Sequence, residues 1–197
     1  PVGSLLASLY FDHKSDTPIS IKYDLLIVST WRGNIGHSID VIDTMRSMKV
    51  MDQLLSRYIK SRSITAAIIL RAERNSEHWI IPGIGTEYDY YRSMYGDSIE
   101  IIDANLTERT IYPAMEQSRL IVSCLSSALN EAYGIGKKIF FFNYTGKNKY
   151  HCDIDPNCII EDENYSRVCV RIDDLLSQSE SLYRQLHSDS IRKVMAY

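Results

Sequence analysis

Short continuous runs of apolar residues alternate along the chain with segments in which apolar residues recur every three or four positions. A continuous run of about four to eight apolar residues is typical of a strand buried on both faces, and the longer spacing is typical of one face of a helix. The runs predict strands at 24–29, 65–70, 98–102, 119–123, 138–142 and 167–171. The spaced segments predict helices at 39–59, 88–95, 110–117, 126–133 and 173–194.

The order of these elements predicts the fold class. Strands that are apolar on both faces must be covered on both faces, and strands that alternate with helices are joined by crossovers into parallel neighbours. We therefore predict an α/β fold, a Rossmann-like, doubly wound, mainly parallel six-stranded sheet over residues 23–197. Residues 1–22 are predicted to be a linker or edge segment from a missing N-terminal domain, and residues 143–165 a long surface loop.

Composition narrows the class of ligand. The 197 residues carry a formal net charge of -3, so the chain has no basic field for a nucleic acid and must hold an anion with local groups. The apolar runs are too short to cross a bilayer, and no signal peptide is apparent at the first residue of the chain. The four cysteines show no disulfide framework, which favours a cytoplasmic protein.

The clearest candidate site follows the fourth predicted strand, because ligands bind at the carboxyl ends of the strands in such sheets. Ser126 and Ser127 stand at the start of the next predicted helix. Ser126 suits an N-cap, and the free amides and helix dipole at such a start attract an anion, to which Ser127 can add a hydroxyl. Glu131 lies about one turn further, where its carboxylate can accept two hydroxyl hydrogens of a ribose.

This stretch, a strand followed by two serines, a helix with a glutamate, and then Gly134, Gly136 and Lys137, resembles the donor-site signature of GT-B glycosyltransferases. The likeness is strongest to bacterial enzymes of surface and capsular polysaccharide synthesis. Residues 2–4, followed by residues 22–29, are also similar to the point where those enzymes pass from their first domain to their second. One departure is Lys138, which stands where the family commonly has proline after Gly-Lys.

The resemblance implies roles for residues at the ends of several strands. Ser126 and Ser127 would bind the donor phosphate and Glu131 the ribose. Arg32 follows the first predicted strand and Arg71 the second, where each could also contact the donor phosphates. Three residues after the third strand are assigned to the nucleobase by position alone: Asp103, Asn105 and Leu106.

The resemblance also implies partners and a division of labour. The substrates would be a nucleotide-sugar donor and a glycan or lipid-linked acceptor, with no cofactor and no metal. The general base is expected in the missing N-terminal domain, so this half would be weakly active or inactive alone. The full-length enzyme would be cytoplasmic, with peripheral association at the inner face of the membrane as a further expectation.

Two other functions remain open from the sequence. A non-hydrolysing nucleotide-sugar epimerase shares this architecture and a similar donor site, and it would release an epimerised sugar without an acceptor. A non-catalytic α/β binding module would have no affinity for nucleotides, and replacing Glu131 would not alter ligand binding.

Two residue clusters invite other interpretations. The group His151, Cys152, Asp153 and Cys158 fits no familiar zinc spacing, so we predict no metal site there. Four tyrosines could stack on a base or sugar, but their helical spacing favours packing: Tyr88, Tyr90, Tyr91 and Tyr95.

Overall fold

The computed structural model describes residues 19–32, 39–71, 80–81, 83–104, 110–147 and 153–195. The strands formed by these residues are β1 (Tyr23–Val28), β2 (Ala66–Ile69), β3 (Glu100–Ile102), β4 (Ser118–Ser123), β5 (Ile139–Phe142) and β6 (Ile159–Ile160). The α-helices are α1 (Ile39–Arg62), α2 (Glu87–Tyr95), α3 (Ile111–Glu116), α4 (Ser127–Gly134), α5 (Tyr165–Ser177), α6 (Glu180–Leu186) and α7 (Ser188–Met195).

The six strands form one sheet in the order β3-β2-β1-β4-β5-β6, and every neighbouring pair is parallel. The predicted fold class, a doubly wound Rossmann-like sheet, is confirmed. β1 lies at the centre, where Leu25 pairs with Ala66 of β2 on one side and Leu120 of β4 on the other.

The sheet is covered on both faces. Successive side chains of a strand point to opposite faces, and in β1 the consecutive residues Leu25, Leu26 and Ile27 are all completely buried. The covering helices form two groups: α1 contacts both α2 and α5, while α4 contacts α7. This burial explains why the strands are continuously apolar in sequence.

α1 buries most of the residues that the three-to-four spacing predicts to be apolar and buried. In α1, the buried positions include Met48, Met51, Leu55 and Tyr58. Among the helices of the described residues, none combines the length and apolar character needed to cross a membrane.

The predicted strand at 167–171 is wrong, because these residues lie inside α5. That helix buries Val168, Cys169, Ile172, Leu175 and Leu176, which share one helical face. The sixth strand is instead β6, which lies within the region predicted to be a loop. β6 is only two residues long, too short to produce a recognisable apolar run.

The single long terminal helix predicted at 173–194 is also wrong, because three helices occupy this region. The chain leaves helical geometry at Gln178, and the hydroxyl of Ser179 accepts a hydrogen bond from the amide of Leu182 to begin α6. Ser179 is therefore an N-cap in the middle of the predicted helix.

Candidate functional site

The sheet order places a topological switch point between β1 and β4. From β1 the chain proceeds outward to β2 and β3, and it then returns to the other side of β1 to form β4. At the carboxyl edge of the sheet the chain therefore leaves β1 and β4 toward opposite sides, and a crevice forms at such a point in folds of this kind. The two loops touch where Thr30 Oγ1 lies 3.1 Å from Cys124 Sγ.

The loop after β1 packs against α2 and is hydrogen-bonded to it. The hydroxyl oxygen of Ser29 accepts hydrogen bonds from the amide of Trp31 at 3.1 Å and from the Tyr91 hydroxyl at 2.9 Å. Both Trp31 and Tyr91 are completely buried, and the Trp31 ring lies 5.2 Å from that of Tyr90. Arg32 therefore projects from a backbone segment that is fixed by packing and hydrogen bonds.

Arg71, two residues beyond the end of β2, approaches the same loop. Its Nη1 donates to the carbonyl oxygen of Trp31 at 3.1 Å, and its backbone amide donates to Glu87 Oε1 at 2.9 Å. Partial burial, and then the positive charge of Arg32, lower the pKa of Arg71. The charge of Arg32 also favours the thiolate of Cys124, although burial raises the pKa of that thiol to about 12. Arg32 is thus close enough to act electrostatically on groups at both β2 and β4.

The two arginines repel each other, because each guanidinium remains charged at neutral pH. An anion placed between them would remove that repulsion and gain charge-assisted hydrogen bonds from both. The structure therefore brings together Arg32 and Arg71, which the sequence placed only on separate loops.

The turn from β4 into α4 adopts an unusual backbone. Leu125 has a φ of 59°, the left-handed region that non-glycine residues rarely adopt. Ser126 follows at the N-cap position with φ -98° and ψ 128°. Its side chain makes no capping hydrogen bond, so the prediction that the hydroxyl caps the helix is wrong although the position is right.

The start of α4 therefore has free donors. Within the described part of the chain, the amides of Ser127 and Ala128 have no hydrogen-bond partner, and Ser127 is exposed. The Ser126 hydroxyl is also available because it does not cap. These groups, together with the positive end of the helix dipole, could bind an anion beside the β1 loop.

Glu131 lies one turn into α4 and is partly buried. Its Oε2 accepts a hydrogen bond of 2.9 Å from the hydroxyl of Tyr112, a residue of α3 that is only 3% exposed. This partner was not predictable from the sequence, because α3 and α4 approach each other only in the folded chain.

The glycines that follow Glu131 end the helix as predicted. Gly134 is the last residue of α4, and Gly136 has a φ of 78°. Lys138, at the position of the departure from the family pattern, precedes β5 at the amino edge of the sheet. Its Nζ donates to the carbonyl oxygens of Leu175 at 2.9 Å and Gln178 at 2.7 Å, beyond the reach of the candidate site.

Asp103, the one described residue among those assigned to the nucleobase, is not brought into this group. Asp103 follows β3, which is separated from β1 by β2, so it lies about 10 Å from the switch point at the usual strand spacing. Its carbonyl oxygen accepts a hydrogen bond from Thr110 Oγ1 at 3.3 Å. Asn105 and Leu106 lie outside the described residues.

Cys158, a member of the group considered for zinc, directly precedes β6 at the amino edge of the sheet. His187 Nδ1 is 3.0 Å from Asp155 Oδ2, and His187 Nε2 is 3.9 Å from Cys158 Sγ. Burial raises the pKa of Cys158 to about 12, so this thiol is protonated and unsuited to nucleophilic chemistry. In the ranges that the structure describes, no group of residues could hold a metal ion; His151 and Cys152 fall outside those ranges.

The tyrosines of α2 pack as predicted, but around a buried acid that the sequence did not single out. Asp52 of α1 is completely buried. It accepts hydrogen bonds from the hydroxyls of Tyr90 at 3.0 Å and Tyr95 at 2.7 Å. Burial raises the pKa of this carboxyl to about 7. A single aspartate within an amphipathic helix is ordinarily solvent-exposed, which is why the pattern gave no signal.

Solved structures share this architecture. The catalytic domain of cholesterol-alpha-glucosyltransferase from Helicobacter pylori has a TM-score of 0.53 and 14% identity, over 89% of this chain and 100% of that chain. Sucrose-phosphate synthase from Thermosynechococcus elongatus has a TM-score of 0.60 and 10% identity, over 100% of this chain and 47% of that chain. TarM has a TM-score of 0.55 and 13% identity, over 93% of this chain and 34% of that chain.

The comparisons therefore establish a fold. No protein-family model and no curated protein sequence matches the chain. The chain spans less than half of the synthase and about a third of TarM. It has the Rossmann-like architecture of a domain of GT-B glycosyltransferases, as the sequence resemblance implied.

Proposed function

We propose that this chain is the donor-binding domain of a GT-B-type glycosyltransferase that moves a sugar from a nucleotide sugar to a glycan or lipid-linked acceptor. The observation that carries the proposal is the grouping of two mutually repelling arginines and an uncapped helix start around one switch point. Fixed positive charge and free amides at such a point suit the phosphates of a nucleotide.

The residues divide the ligand between them. Arg32 and Arg71 would bind the donor phosphates from the β1 and β2 side, and Ser126 and Ser127 from the α4 side. Glu131, about one turn or 5 Å further along α4, would accept hydroxyl hydrogens of the ribose. The base would extend toward Asp103 and the residues that follow β3.

The chemical contribution of these groups is electrostatic. As the bond between the sugar and the donor phosphate breaks, negative charge grows on the departing phosphate. Guanidinium groups and amides that already point at this position stabilise the charge without reorganising, which lowers the barrier to transfer and requires no metal. The general base that deprotonates the acceptor would come from a second domain, and synthesis of a bacterial surface polysaccharide is the proposed setting.

Calorimetry of the full chain against UDP, GDP, CMP, dTDP and ADP sugars tests the proposal. At least one ligand should bind, and Ser127→Ala and Glu131→Ala should each weaken it. Ser166→Ala and Glu163→Ala are matched controls, because both residues are exposed around the start of α5. A chain that binds none of the ligands at millimolar concentration, or whose affinity is unchanged by Glu131→Ala, would instead support a non-catalytic module.

A further inference from the structure

The hydrogen bond between Tyr112 and Glu131 links two helices that follow different strands. Tyr112 belongs to α3, which leads into β4, whereas Glu131 belongs to α4, which leaves β4. The Tyr112 hydroxyl donates to Glu131 Oε2 at 2.9 Å. Because the tyrosine is 3% exposed and the glutamate only partly buried, the bond joins an anchored donor to a carboxylate that reaches the surface.

The position of Tyr112 is fixed by its own helix. The hydroxyl of Ser118, at the start of β4, donates to the carbonyl oxygen of Ala114 at 2.6 Å. Lys137 Nζ donates to the carbonyl oxygens of Glu116 and Ser118, each at 3.2 Å. These bonds tie the end of α3 both to β4 and to the segment that leaves α4, so α3 cannot shift without disturbing either.

The bond leaves most of the carboxylate available. An ionised carboxylate has two oxygens with about four acceptor positions, of which Tyr112 uses one. A glutamate side chain otherwise samples many rotamers, and holding one of them in advance lowers the entropic cost of binding. A tyrosine hydroxyl that donates to one oxygen therefore orients the other oxygen without occupying it.

We propose that Tyr112 is a positioning residue that holds Glu131 in the orientation that accepts the vicinal hydroxyls of a nucleoside ribose. This inference rests on the proposed function, since it requires Glu131 to contact ribose. It adds that Tyr112 and Glu131 together, rather than Glu131 alone, distinguish a ribonucleotide from an analogue without those hydroxyls.

Calorimetric titration of the full chain with UDP, GDP and ADP first identifies the ribonucleotide that binds most tightly. The inference is then tested by comparing the affinity for that ribonucleotide with the affinity for its 2′,3′-dideoxy analogue. Tyr112→Phe keeps the ring and removes only the hydroxyl. It should weaken the ribonucleotide about three- to tenfold and leave the dideoxy analogue within about twofold of the unaltered chain. Glu131→Gln should weaken the ribonucleotide more, and adding Tyr112→Phe to it should have no further effect.

Tyr58→Phe is the matched control, because the Tyr58 hydroxyl also donates to a carboxylate, Asp173 Oδ1 at 2.7 Å, between α1 and α5. It should leave both affinities unchanged. Thermal unfolding of each variant reports any loss of structure independently of binding. If Tyr112→Phe weakens both nucleotides equally, or weakens neither while Glu131→Gln weakens the ribonucleotide, the positioning role is refuted and the proposed function stands. If Glu131→Gln has no effect, or no nucleotide binds, both fail.

Discussion

Arg71 donates from Nη1 to the carbonyl oxygen of Trp31 at 3.1 Å, so a residue just beyond β2 supports the loop that follows β1. Partial burial lowers the pKa of Arg71, and the charge of Arg32, the neighbouring residue in that loop, lowers it further. The two arginines are therefore coupled both through the backbone and through their charges, and a ligand that binds one will affect the other.

We expect Arg32→Ala to weaken the binding of a nucleotide diphosphate about tenfold or more, because a hydrogen bond to a charged group contributes about 1.5–3 kcal/mol. Arg71→Ala should weaken nucleotide binding more than Arg32→Ala does, because it also removes the hydrogen bond that holds the β1 loop through the Trp31 carbonyl oxygen. Titration with UDP and GDP at two salt concentrations measures both effects, and the variants should show a smaller dependence on salt. Arg62→Ala is the control, because Arg62 ends α1 shortly before β2 begins, at the amino edge of the sheet, and pairs with Asp173 of α5. An equal loss there would point to net charge alone.

The buried carboxyl of Asp52 should make stability depend on pH. Its pKa of about 7 in the folded chain lies above the ordinary value of 3.8, so between these values the folded state holds a proton that the unfolded state releases. The stabilisation is therefore complete below about pH 4 and is lost as the pH rises toward 7.

Asp52→Asn removes this titration. The unfolding free energy of the variant minus that of the unaltered chain should therefore increase by about 2 kcal/mol from pH 5 to pH 8. Urea unfolding at the two pH values measures the change, and comparing the two chains cancels the other titrating groups. A difference that stays constant with pH would show that Asp52 ionises normally in the folded protein.

Gly136→Ala should destabilise the chain by about 1–2 kcal/mol, because a φ of 78° disfavours a side chain and the new Cβ would stand 3.0 Å from Arg184 Nε. That contact would also disturb the hydrogen bond from Arg184 Nε to the Gly136 carbonyl oxygen. Gly146→Ala separates the two causes: Gly146 has a φ of 66° but nothing within 4 Å of its Cβ position. Equal unfolding free energies for the two variants would mean that the Arg184 side chain moves away from the new Cβ without destabilising the chain.

Lys138→Met should destabilise the chain by about 1–3 kcal/mol, since the bonds from a buried ammonium to the Leu175 and Gln178 carbonyl oxygens stabilise the end of α5. Nucleotide binding should be unaffected, because Lys138 lies at the amino edge of the sheet. Thermal unfolding and titration measure the two effects. The exposed residue Lys60 provides the comparison, and Lys60→Met should change stability by less than about 0.5 kcal/mol.

The sequence predicted the elements that are long enough for their buried residues to form a recognisable periodic pattern. β1 and α1 were placed correctly, because their apolar residues follow strand and helix periods over many positions. β6 was missed because two residues carry no period, and α5 was taken for a strand because its first turns contain Val168, Cys169 and Val170 beside each other.

The candidate site was predictable only in part. The start of α4 and Glu131 follow from local sequence, and Arg32 and Arg71 from their positions after strands. The Tyr112 hydroxyl and the buried Asp52 did not follow, because each depends on which helices the sheet order brings together.

By itself, the sequence determined that strands buried on both faces alternate with amphipathic helices, since that information lies in the local order of apolar and polar residues. Only the tertiary structure decided that β4 returns to the side of β1, so that the loop with Arg32 and the start of α4 follow neighbouring strands at one edge of the sheet. The reason is physical: periodicity records which side chains are buried, whereas contacts between distant residues depend on how the chain crosses the sheet.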